Sequence, residues 1–324
     1  MRICSGFFII VAALYASAAY PDFVIKADAD LLTIYDDAKP VMVYHCGMTT
    51  PPQGVDPGQA RACYFHPVYG LDGDVLTEDY PSDHYHHRGL FWAWPLSRYG
   101  ERPVDIWLLK GIRQRWEAWL KLAPGPDAAE VELQNIWSFD DAPNEPIIRE
   151  TVRFVVRKAE QDSRAIDFHI TITNTGKEIF HLQGASTDAK GYGGFCFRPD
   201  TRRRPLVFTT EKGVLHEDAT SIETRWADAS SPAVPDGPVS GVSIFQHPQT
   251  AGYPHTGWLL RDYAFLGASW PHTKGCTLEP GQSFDLRYRL FIHRGSAEEA
   301  LVAEHYETYL KTSGAHQAAG VANQ

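Results

Sequence analysis

The densest group of residues able to do chemistry lies in the stretch SDHYHHRG, residues 82–89. Three imidazoles, a carboxylate and a guanidinium occur there close together, as Asp83, His84, His86, His87 and Arg88. If the stretch is extended, alternate side chains share a side, so His84, His86 and Arg88 would face one way. Asp83 and His87 would face the other way. We therefore take these five residues as the candidate catalytic group.

This cluster supports three interpretations. An imidazole titrates near neutral pH, so His84, His86 or His87 could transfer a proton while Asp83 orients a ring and Arg88 binds a substrate oxygen. Alternatively, His84 and His86 could be ligands of a divalent metal, although the spacing indicates no third ligand. The cluster could also be a buried knot of hydrogen bonds tying a loop to a sheet. The residues alone leave these alternatives open.

Strands must position the cluster. LFWAW, residues 90–94, is apolar on both faces, which is typical of a central buried strand. Residues 149–160 and 164–175 alternate polar and apolar side chains on either side of a short turn, which predicts an antiparallel hairpin. Residues 241–247 and 284–293 are further strand candidates, and for 105–122 we favour strands around Trp107 and Trp116 over a helix. The pattern predicts a mostly β fold of two packed antiparallel sheets.

One helix is expected at the end of this sandwich. Ser296 is followed three positions later by Glu299, which is the pattern of a capping box. The apolar stripe of the helix would comprise Ala300, Leu301, Tyr306 and Leu310. Residues 315–324, beyond Gly314, are expected to form a flexible tail.

The first residues indicate export. Arg2 precedes the apolar run ICSGFFIIVAALYASA, which ends in the small residues of a cleavage site, so residues 1–18 are predicted to be a signal peptide. We expect a periplasmic or extracellular protein with one β-sandwich domain over residues 19–314. No other stretch is long enough to span a membrane, so no stable membrane insertion is expected after cleavage. The formal net charge of −10 argues against a nucleic-acid partner.

Four cysteines remain once Cys4 leaves with the signal peptide: Cys46, Cys63, Cys196 and Cys276. Their spacing fits no zinc pattern, and an exported protein is free to form disulfides. Four cysteines allow three pairings, among which sequence does not choose. We favour a Cys46–Cys63 bridge, because both residues lie in one loop-rich region.

Several segments, in order along the chain, resemble the PmoA-like family of exported bacterial proteins. They are YHCGMTTPPQG, CYFHPVYGLDGDVLTEDYPSDHYHHRGLFWAW, TDAKGYGGFCFRPD, SGVSIFQHPQTAGYPHTGWLLRDYAFLGASW and LEPGQSFDLRYRLFIHRG. The resemblance implies a large β-sandwich similar to galactose mutarotase, and a carbohydrate or modified sugar as the partner. The family name also implies methane oxidation. We reject that activity, because the methane monooxygenase subunit is a membrane protein and this chain lacks a transmembrane helix after its signal.

The resemblance further implies substrate-binding roles for Tyr64, His66, Lys190, Arg198, His247 and Trp258. The face of Trp258 could stack on a sugar ring, and the glycines beside Lys190 permit a close approach to a substrate. This chain has Tyr85 where the family pattern has proline. It also has TDAKGYGG where Lys-Asp-Gly-Gly is usual, which bears on how Lys190 is presented.

The leading hypothesis is an exported carbohydrate-active enzyme of the epimerase, lyase or hydrolase type, with no certain cofactor. The first alternative is a non-catalytic carbohydrate-binding sandwich whose platform comprises Trp92, Trp258 and Trp270. The second alternative is a metal-dependent enzyme with His84 and His86 as ligands.

Overall fold

A computed structural model describes residues 23–313 of the 324-residue chain. The predicted signal peptide, residues 1–18, and the predicted tail, residues 315–324, lie outside the described residues. Within residues 23–313 the chain consists of antiparallel strands, four short 3-10 turns and one α-helix. None of the helices in this range is long and apolar enough to cross a bilayer.

The strands follow one another at short intervals along the chain. The first seven are β1 Phe23–Ala27, β2 Leu31–Asp36, β3 Lys39–His45, β4 Tyr64–Val68, β5 Leu90–Ala93, β6 Leu96–Tyr99 and β7 Arg102–Val104. The next seven are β8 Ile112–Pro124, β9 Ala128–Phe139, β10 Ala142–Arg157, β11 Ser163–Asn174, β12 Phe180–Gln183, β13 Gly194–Phe197 and β14 Val207–Thr210. The last seven are β15 Gly213–Val214, β16 Trp226–Pro232, β17 Val239–Gln246, β18 Trp258–Arg261, β19 Phe265–Ala268, β20 Cys276–Leu278 and β21 Ser283–Arg294.

These strands form two large sheets and a small one. The first sheet has eight strands in the order β1-β2-β3-β4-β5-β13-β19-β18, and the second has nine in the order β15-β14-β16-β17-β21-β11-β10-β9-β8. A four-stranded sheet, β20-β12-β6-β7, was not anticipated from the sequence. The two large sheets pack face to face, since Phe65 of the first contacts Phe154 and Phe168 of the second. The predicted antiparallel β-sandwich with a C-terminal helix is therefore confirmed.

The alternating segments behave as the sequence predicts. Strands β10 and β11 pair antiparallel, with Phe154 opposite Phe168 and Val152 opposite Ile170. These four side chains point between the sheets and are buried, while the intervening residues face outward. Burying each such side chain is worth about 1.5–3 kcal/mol. The period of two in the sequence therefore decides which face of the large sheet meets the core.

A buried carboxylate ties the site-bearing strand β5 to the second sheet. Glu150 accepts hydrogen bonds from Trp92 Nε1 at 2.7 Å, Trp137 Nε1 at 3.0 Å, Asn135 Nδ2 at 2.6 Å and Gln114 Nε2 at 3.2 Å. Burial raises the pKa of Glu150, and these donors act against that effect. Strand β5 is buried along its whole length, as expected for a central strand.

The C-terminal helix, α1, spans Val302–Thr312 and so begins later than the sequence suggested. The capping box does form, because the Ser296 amide donates to Glu299 Oε2 at 2.8 Å and the Glu299 amide donates to Ser296 Oγ at 3.3 Å. It caps a separate turn, since Leu301 has φ 50° and stands immediately before the first helical residue. Leu301 is exposed, and Val302, Tyr306, Tyr309 and Leu310 form the buried side instead.

Residues 105–122 resolve into a turn and a strand. Trp107 lies in the turn between β7 and β8, and Trp116 lies on β8. The preference for strand over helix is therefore right for Trp116, but not for Trp107.

Candidate functional site

The histidine loop, residues 81–89, folds as two consecutive turns. The His84 amide donates to the Pro81 carbonyl at 3.0 Å, and the His87 amide donates to the His84 carbonyl at 2.9 Å. The extended arrangement with alternating sides is therefore wrong. The turns bring the rings of His84 and His87 into a parallel stack, with centroids 4.6 Å apart and an interplanar angle of 1°.

Glycine at position 89 lets this loop close onto β4. A Cβ atom added there would lie 2.1 Å from the Phe65 carbonyl oxygen, which is far inside van der Waals contact. Any larger residue would push the loop away from β4. The Gly of the SDHYHHRG stretch thus fixes the position of the histidines.

Asp83 and Arg198 support the stacked rings. Asp83 Oδ2 lies 3.0 Å from His84 Nδ1. Arg198, on the segment after β13, donates from Nη2 to both oxygens of Asp83 at 2.7 and 3.0 Å. Its Nη1 donates to His87 Nδ1 at 3.4 Å. Because Arg198 is wholly buried, it acts through Asp83 and His87 and positions both.

These contacts assign a different tautomer to each ring. A carboxylate has no proton to give, so the contact of Asp83 Oδ2 with His84 Nδ1, which is close but not aligned as a hydrogen bond, favours the proton of His84 on Nδ1 and leaves Nε2 as the acceptor nitrogen. A guanidinium only donates, so Arg198 makes His87 Nδ1 the acceptor and places the proton on Nε2. The stack therefore combines a proton acceptor with a hydrogen-bond donor.

The charges of the cluster follow from burial. Burial lowers the pKa of His86 to about 3, and the neighbouring positive groups act in the same direction. Burial likewise lowers the pKa of His87 well below its ordinary value. Burial alone would raise the pKa of Asp83, but hydrogen bonds from Arg198 and His84 outweigh it and the pKa is lowered. At neutral pH, His86 and His87 are therefore neutral and Asp83 is ionised.

The three histidines line a cavity of about 310 Å³, called here the histidine cavity. Its other lining residues are Trp107, Leu108, Lys190, Tyr192, Leu259, Arg261 and Tyr263. The Tyr263 ring stacks on His84 with centroids 4.8 Å apart. Aromatic rings thus flank the polar nitrogens, and the described lining contains two cations and no carboxylate.

Arg88 does not line this cavity, so a direct contact with a substrate oxygen is not the role that the structure gives it. Its guanidinium is wholly buried and donates to the carbonyls of Tyr85, His87 (2.8 Å) and Gln59 (2.5 Å). It also lies 3.3 Å from Asp79. Arg88 holds the histidine loop against its surroundings. For this one residue, the structural interpretation of the cluster, a buried knot of hydrogen bonds, is the one that fits.

Tyr64 and His66 also lie apart from the cavity. Tyr64 is buried, stacks on His45 and donates from its hydroxyl to Asp79 at 2.9 Å. His66 Nδ1 lies 3.0 Å from Thr77 Oγ1, in a separate depression near Asp79. The structure therefore does not bring either residue to the substrate position that the resemblance implied.

Two of the three tryptophans of the expected platform have no exposed face, and the third, Trp270, packs against Phe284 and does not line the histidine cavity. Trp258 is wholly buried and donates from Nε1 to the Thr224 carbonyl at 2.9 Å. Trp92 is wholly buried and donates from Nε1 to Glu150. A side chain without exposed surface cannot stack on a sugar, and His247, also expected to bind substrate, lies in a different groove beside Tyr309.

Lys190 reaches the cavity, as the resemblance implied. It lies just after the 3-10 turn Thr187–Ala189 and is 3.2 Å from Asp188. Sequence reasoning missed Trp107, Tyr192, Arg261 and Tyr263 as cavity residues. The only available signal was that Tyr192 lies in the quoted TDAKGYGG stretch and that Arg261 and Tyr263 lie in the quoted WLLRDYAFLG stretch.

The expected metal site and the expected disulfide find no support among the described residues. Over residues 23–313, no three or more His, Cys, Asp or Glu side chains are arranged to hold a metal ion, so His84 and His86 lack a further ligand there. The four cysteines of the described chain are free, and the favoured Cys46–Cys63 bridge is not formed.

A model of the family described as "Family of unknown function (DUF6807)" matches residues 32–307, and the chain belongs to this family. The assignment to the PmoA-like family is therefore wrong. The quoted segments lie within the matched range, and the description of the family gives it no function. No curated protein matches the chain.

Solved structures that are similar to the chain at low identity include three enzymes. A heparan sulfate lyase HepC mutant from Pedobacter heparinus is 12% identical with a TM-score of 0.43, over 85% of this chain and 37% of that one. The GH36 α-galactosidase AgaA from Geobacillus stearothermophilus is 9% identical with a TM-score of 0.38, over 85% and 40%. Galactose 1-epimerase from Lactobacillus acidophilus NCFM is 10% identical with a TM-score of 0.38, over 85% and 98%. The chain thus spans about two fifths of the α-galactosidase, and at these identities the likeness concerns the fold alone.

Proposed function

We propose that this member of the DUF6807 family is an enzyme that moves a proton on a carbohydrate bound in the histidine cavity. The observation that carries the proposal is the stacked pair His84 and His87, one ring supported by Asp83 and the other by Arg198. A base and a hydrogen-bond donor lie side by side in a partly enclosed site, which is what acid–base chemistry needs.

The proposed step uses the two tautomers. His84 Nε2 takes a proton from a carbon next to a sugar carbonyl, and the positive charge that forms on the ring is stabilised by Asp83. His87 donates from Nε2–H to the oxygen on which negative charge develops, as a neutral imidazole can. Protonation of the opposite face by water, with His84 releasing its proton to solvent, gives epimerisation. Departure of the neighbouring oxygen group with the proton that His84 holds gives elimination.

Hydrolysis fits the cavity less well. A glycosidase with two carboxylates needs both beside the scissile bond, about 5–9.5 Å apart. Among the described residues that line the histidine cavity, none is an aspartate or glutamate. Of the three reaction types expected from the sequence, the site therefore favours epimerisation or elimination.

A sugar suits the walls of the cavity. Tyr192 and Tyr263, which are partly exposed, present aromatic rings for the apolar face of a sugar, while imidazole nitrogens meet its polar edge. Lys190 and Arg261 add two positive charges that favour an oxygen-rich ligand. The volume of about 310 Å³ limits the bound part to one or two rings.

Exchange in D2O tests the proposal. We would incubate the protein with a panel of reducing sugars, uronates and 3-keto sugars, and follow loss of the C–H signal next to the carbonyl by NMR. Replacing His84 by glutamine removes the base, so exchange should fall about 10²–10⁴-fold. His181→Gln is the matched control, because His181 lies on β12 and bonds Thr277 outside the cavity.

The outcomes separate the alternatives. Exchange catalysed by the unaltered protein and by His181→Gln, but not by His84→Gln, supports the proposal. Binding of a sugar with no exchange and no product would favour a non-catalytic binding protein. Equal exchange by His84→Gln and the unaltered protein would contradict the role of His84.

We further propose that the mature protein works outside the cytoplasm. The support is the charged, apolar and small-residue pattern of residues 1–18. Mass spectrometry of the protein from an extracytoplasmic fraction should find an N-terminus at Ala19. A full-length chain confined to the cytoplasm would contradict this localisation.

A further inference from the structure

A groove with exposed aliphatic side chains lies at one end of the nine-stranded sheet. The hairpin of β14 and β15, the turn before α1 and the first two turns of α1 enclose a volume of about 680 Å³, called here the helix groove. None of the residues that line it also lines the histidine cavity. The helix groove is therefore a separate site, to which the proposed sugar chemistry gives no role.

Three exposed aliphatic residues line this one groove. Val207 of β14 is 46% exposed, Val214 of β15 is 51% exposed, and Leu301 before α1 is 55% exposed. Strand β15 is the last strand of its sheet, so no described strand lies beyond it to cover Val214. Single exposed aliphatic residues are common on protein surfaces, whereas several of them in one concave site are typical of a surface that binds another molecule.

Leu301 is a poor choice for the stability of the fold in two respects. Its φ of 50° lies in the left-handed region, which is unfavourable for leucine and which glycine or asparagine adopts more easily. Its side chain is more than half exposed, so burial in the core does little to offset that strain. The stability of the fold therefore does not explain a leucine at this position, whereas an apolar contact with a partner would.

The charged lining of the helix groove is acidic. Four carboxylates, those of Glu211, Glu298, Glu304 and Glu307, line it together with one cation, Arg225. Arg225 donates to Glu211 Oε1 at 2.6 Å and to Glu307 Oε1 at 3.0 Å. Glu298 and Glu304 form no ion pair with another described residue. Two carboxylates beside the aliphatic residues are thus left for the cations of a partner.

These features select one class of partner. Nucleic acids and anionic lipid surfaces would be repelled by the carboxylates, and a second copy of this chain has a formal net charge of −10. A sugar would find no exposed aromatic ring, because Trp226, the aromatic residue of the lining, is buried. We propose that the helix groove binds a segment of a partner protein in which leucine or valine lies beside lysine or arginine. The apolar side chains would cover the three aliphatic residues, and the cations would pair with Glu298 and Glu304.

Three synthetic peptides of equal length separate the apolar contribution from the charge. One contains leucine and lysine, one contains serine and lysine, and one contains leucine and glutamate. Calorimetry on the full chain at physiological ionic strength should show that the leucine–lysine peptide binds at least about tenfold more tightly than either of the others. The reason is that only this peptide matches both the aliphatic residues and the carboxylates of the helix groove.

Leu301→Asn is the main variant. It should weaken binding of the leucine–lysine peptide about tenfold, while the melting temperature stays the same or rises by a few degrees, because asparagine suits a φ of 50°. Leu120→Asn is the matched control, since Leu120 is 51% exposed on β8, outside the groove. Glu304→Gln should weaken binding more at low salt than at high salt. Its control is Glu145→Gln, because Glu145 is exposed outside the groove.

Several outcomes would overturn the proposal. They are no binding of the leucine–lysine peptide, equal affinity for the leucine–lysine and serine–lysine peptides, or equal losses with Leu301→Asn and Leu120→Asn. A dimer of the unaltered chain that Leu301→Asn dissociates would show that a second copy occupies the groove instead. If Leu301→Asn lowers the melting temperature strongly, Val214→Thr replaces it, because threonine keeps the branched shape of valine and suits a strand.

Discussion

Two Asp–His pairs of this protein have nearly the same contact and different surroundings. Asp83 lies 3.0 Å from His84, and Asp228 lies 2.7 Å from His293. The first pair is more than one-third exposed and its histidine lines a cavity, whereas both members of the second are wholly buried. The same chemical unit can therefore serve catalysis only where a substrate can reach it, and elsewhere it stabilises the fold.

In the buried pair, two side chains meet one oxygen of Asp228. Ser243 donates to Asp228 Oδ2 at 2.8 Å, beside the contact from His293. Burial alone would lower the pKa of His293, but Asp228 and backbone acceptors outweigh it, so the pKa is raised. The other oxygen, Oδ1, meets no donor among the described residues. Because neither member of the pair has exposed surface, a substrate cannot reach it.

The largest effect on stability is expected from breaking the buried pair. Asp228→Ala leaves His293 without its carboxylate in the core and should lower the free energy of unfolding by about 3–5 kcal/mol. Asp285→Ala is the control, because its pair with His169 is more than one-third exposed and should be worth less than about 1 kcal/mol. Urea unfolding measures both. Similar losses for the two variants would show that burial is not what separates the pairs.

A loss of turnover is expected at the exposed pair. Asp83→Asn keeps an oxygen for Arg198 but no longer fixes the proton of His84 on Nδ1. Turnover of any sugar found by the exchange assay should fall about 10²-fold, at the lower end of general-base effects. A kinetic assay beside a melting curve checks this, and an unchanged turnover would remove Asp83 from the mechanism.

A smaller loss is expected at Arg198. Lysine keeps the positive charge beside Asp83 but cannot also donate to His87 Nδ1, because it has one nitrogen in place of a fork. Arg198→Lys should reduce turnover about tenfold, mostly in kcat. If KM alone rises, Arg198 acts on substrate binding and the assigned tautomer of His87 is not needed.

The pH dependence of stability should have opposite signs in the two regions. His86 has a pKa of about 3 in the folded protein, below its value in the unfolded chain. The free energy of unfolding therefore falls as pH drops from about 6.5 towards 3, by about 1.4 kcal/mol per pH unit for one proton. His293 has a raised folded pKa, so its contribution is complete below the unfolded pKa and is lost as pH rises through the folded one.

Unfolding curves at several pH values check both signs. Relative to the unaltered protein, the free energy of unfolding of His86→Ala should rise as pH falls from 6 to 4. The loss of free energy of unfolding caused by His293→Gln should become smaller as pH rises from 6 to 9. Parallel pH curves for all three proteins would contradict these assignments.

The comparison also shows what sequence could and could not predict. Alternation in residues 149–175 decides which side chains enter the core, so the hairpin of β10 and β11 was predictable. The residue types of the histidine loop indicated proton transfer, but the turns at His84 and His87 depend on backbone hydrogen bonds that types do not reveal. Arg88 and Trp258 have reactive or stacking groups, yet both are wholly buried, and burial depends on contacts distant in sequence. The position of Tyr263 beside His84 also depends on contacts distant in sequence, so the residue types did not indicate it.

The most direct test of the account replaces the histidine of each pair in parallel. For His84→Gln and His293→Gln, one would measure sugar C–H exchange per folded molecule and the melting temperature in the same buffer. His84→Gln should lose at least 10²-fold in exchange with little change in melting temperature. His293→Gln should melt at a lower temperature and keep its exchange rate. Exchange that survives in His84→Gln, or that is lost in folded His293→Gln, would contradict the claim that the cavity pair does the chemistry.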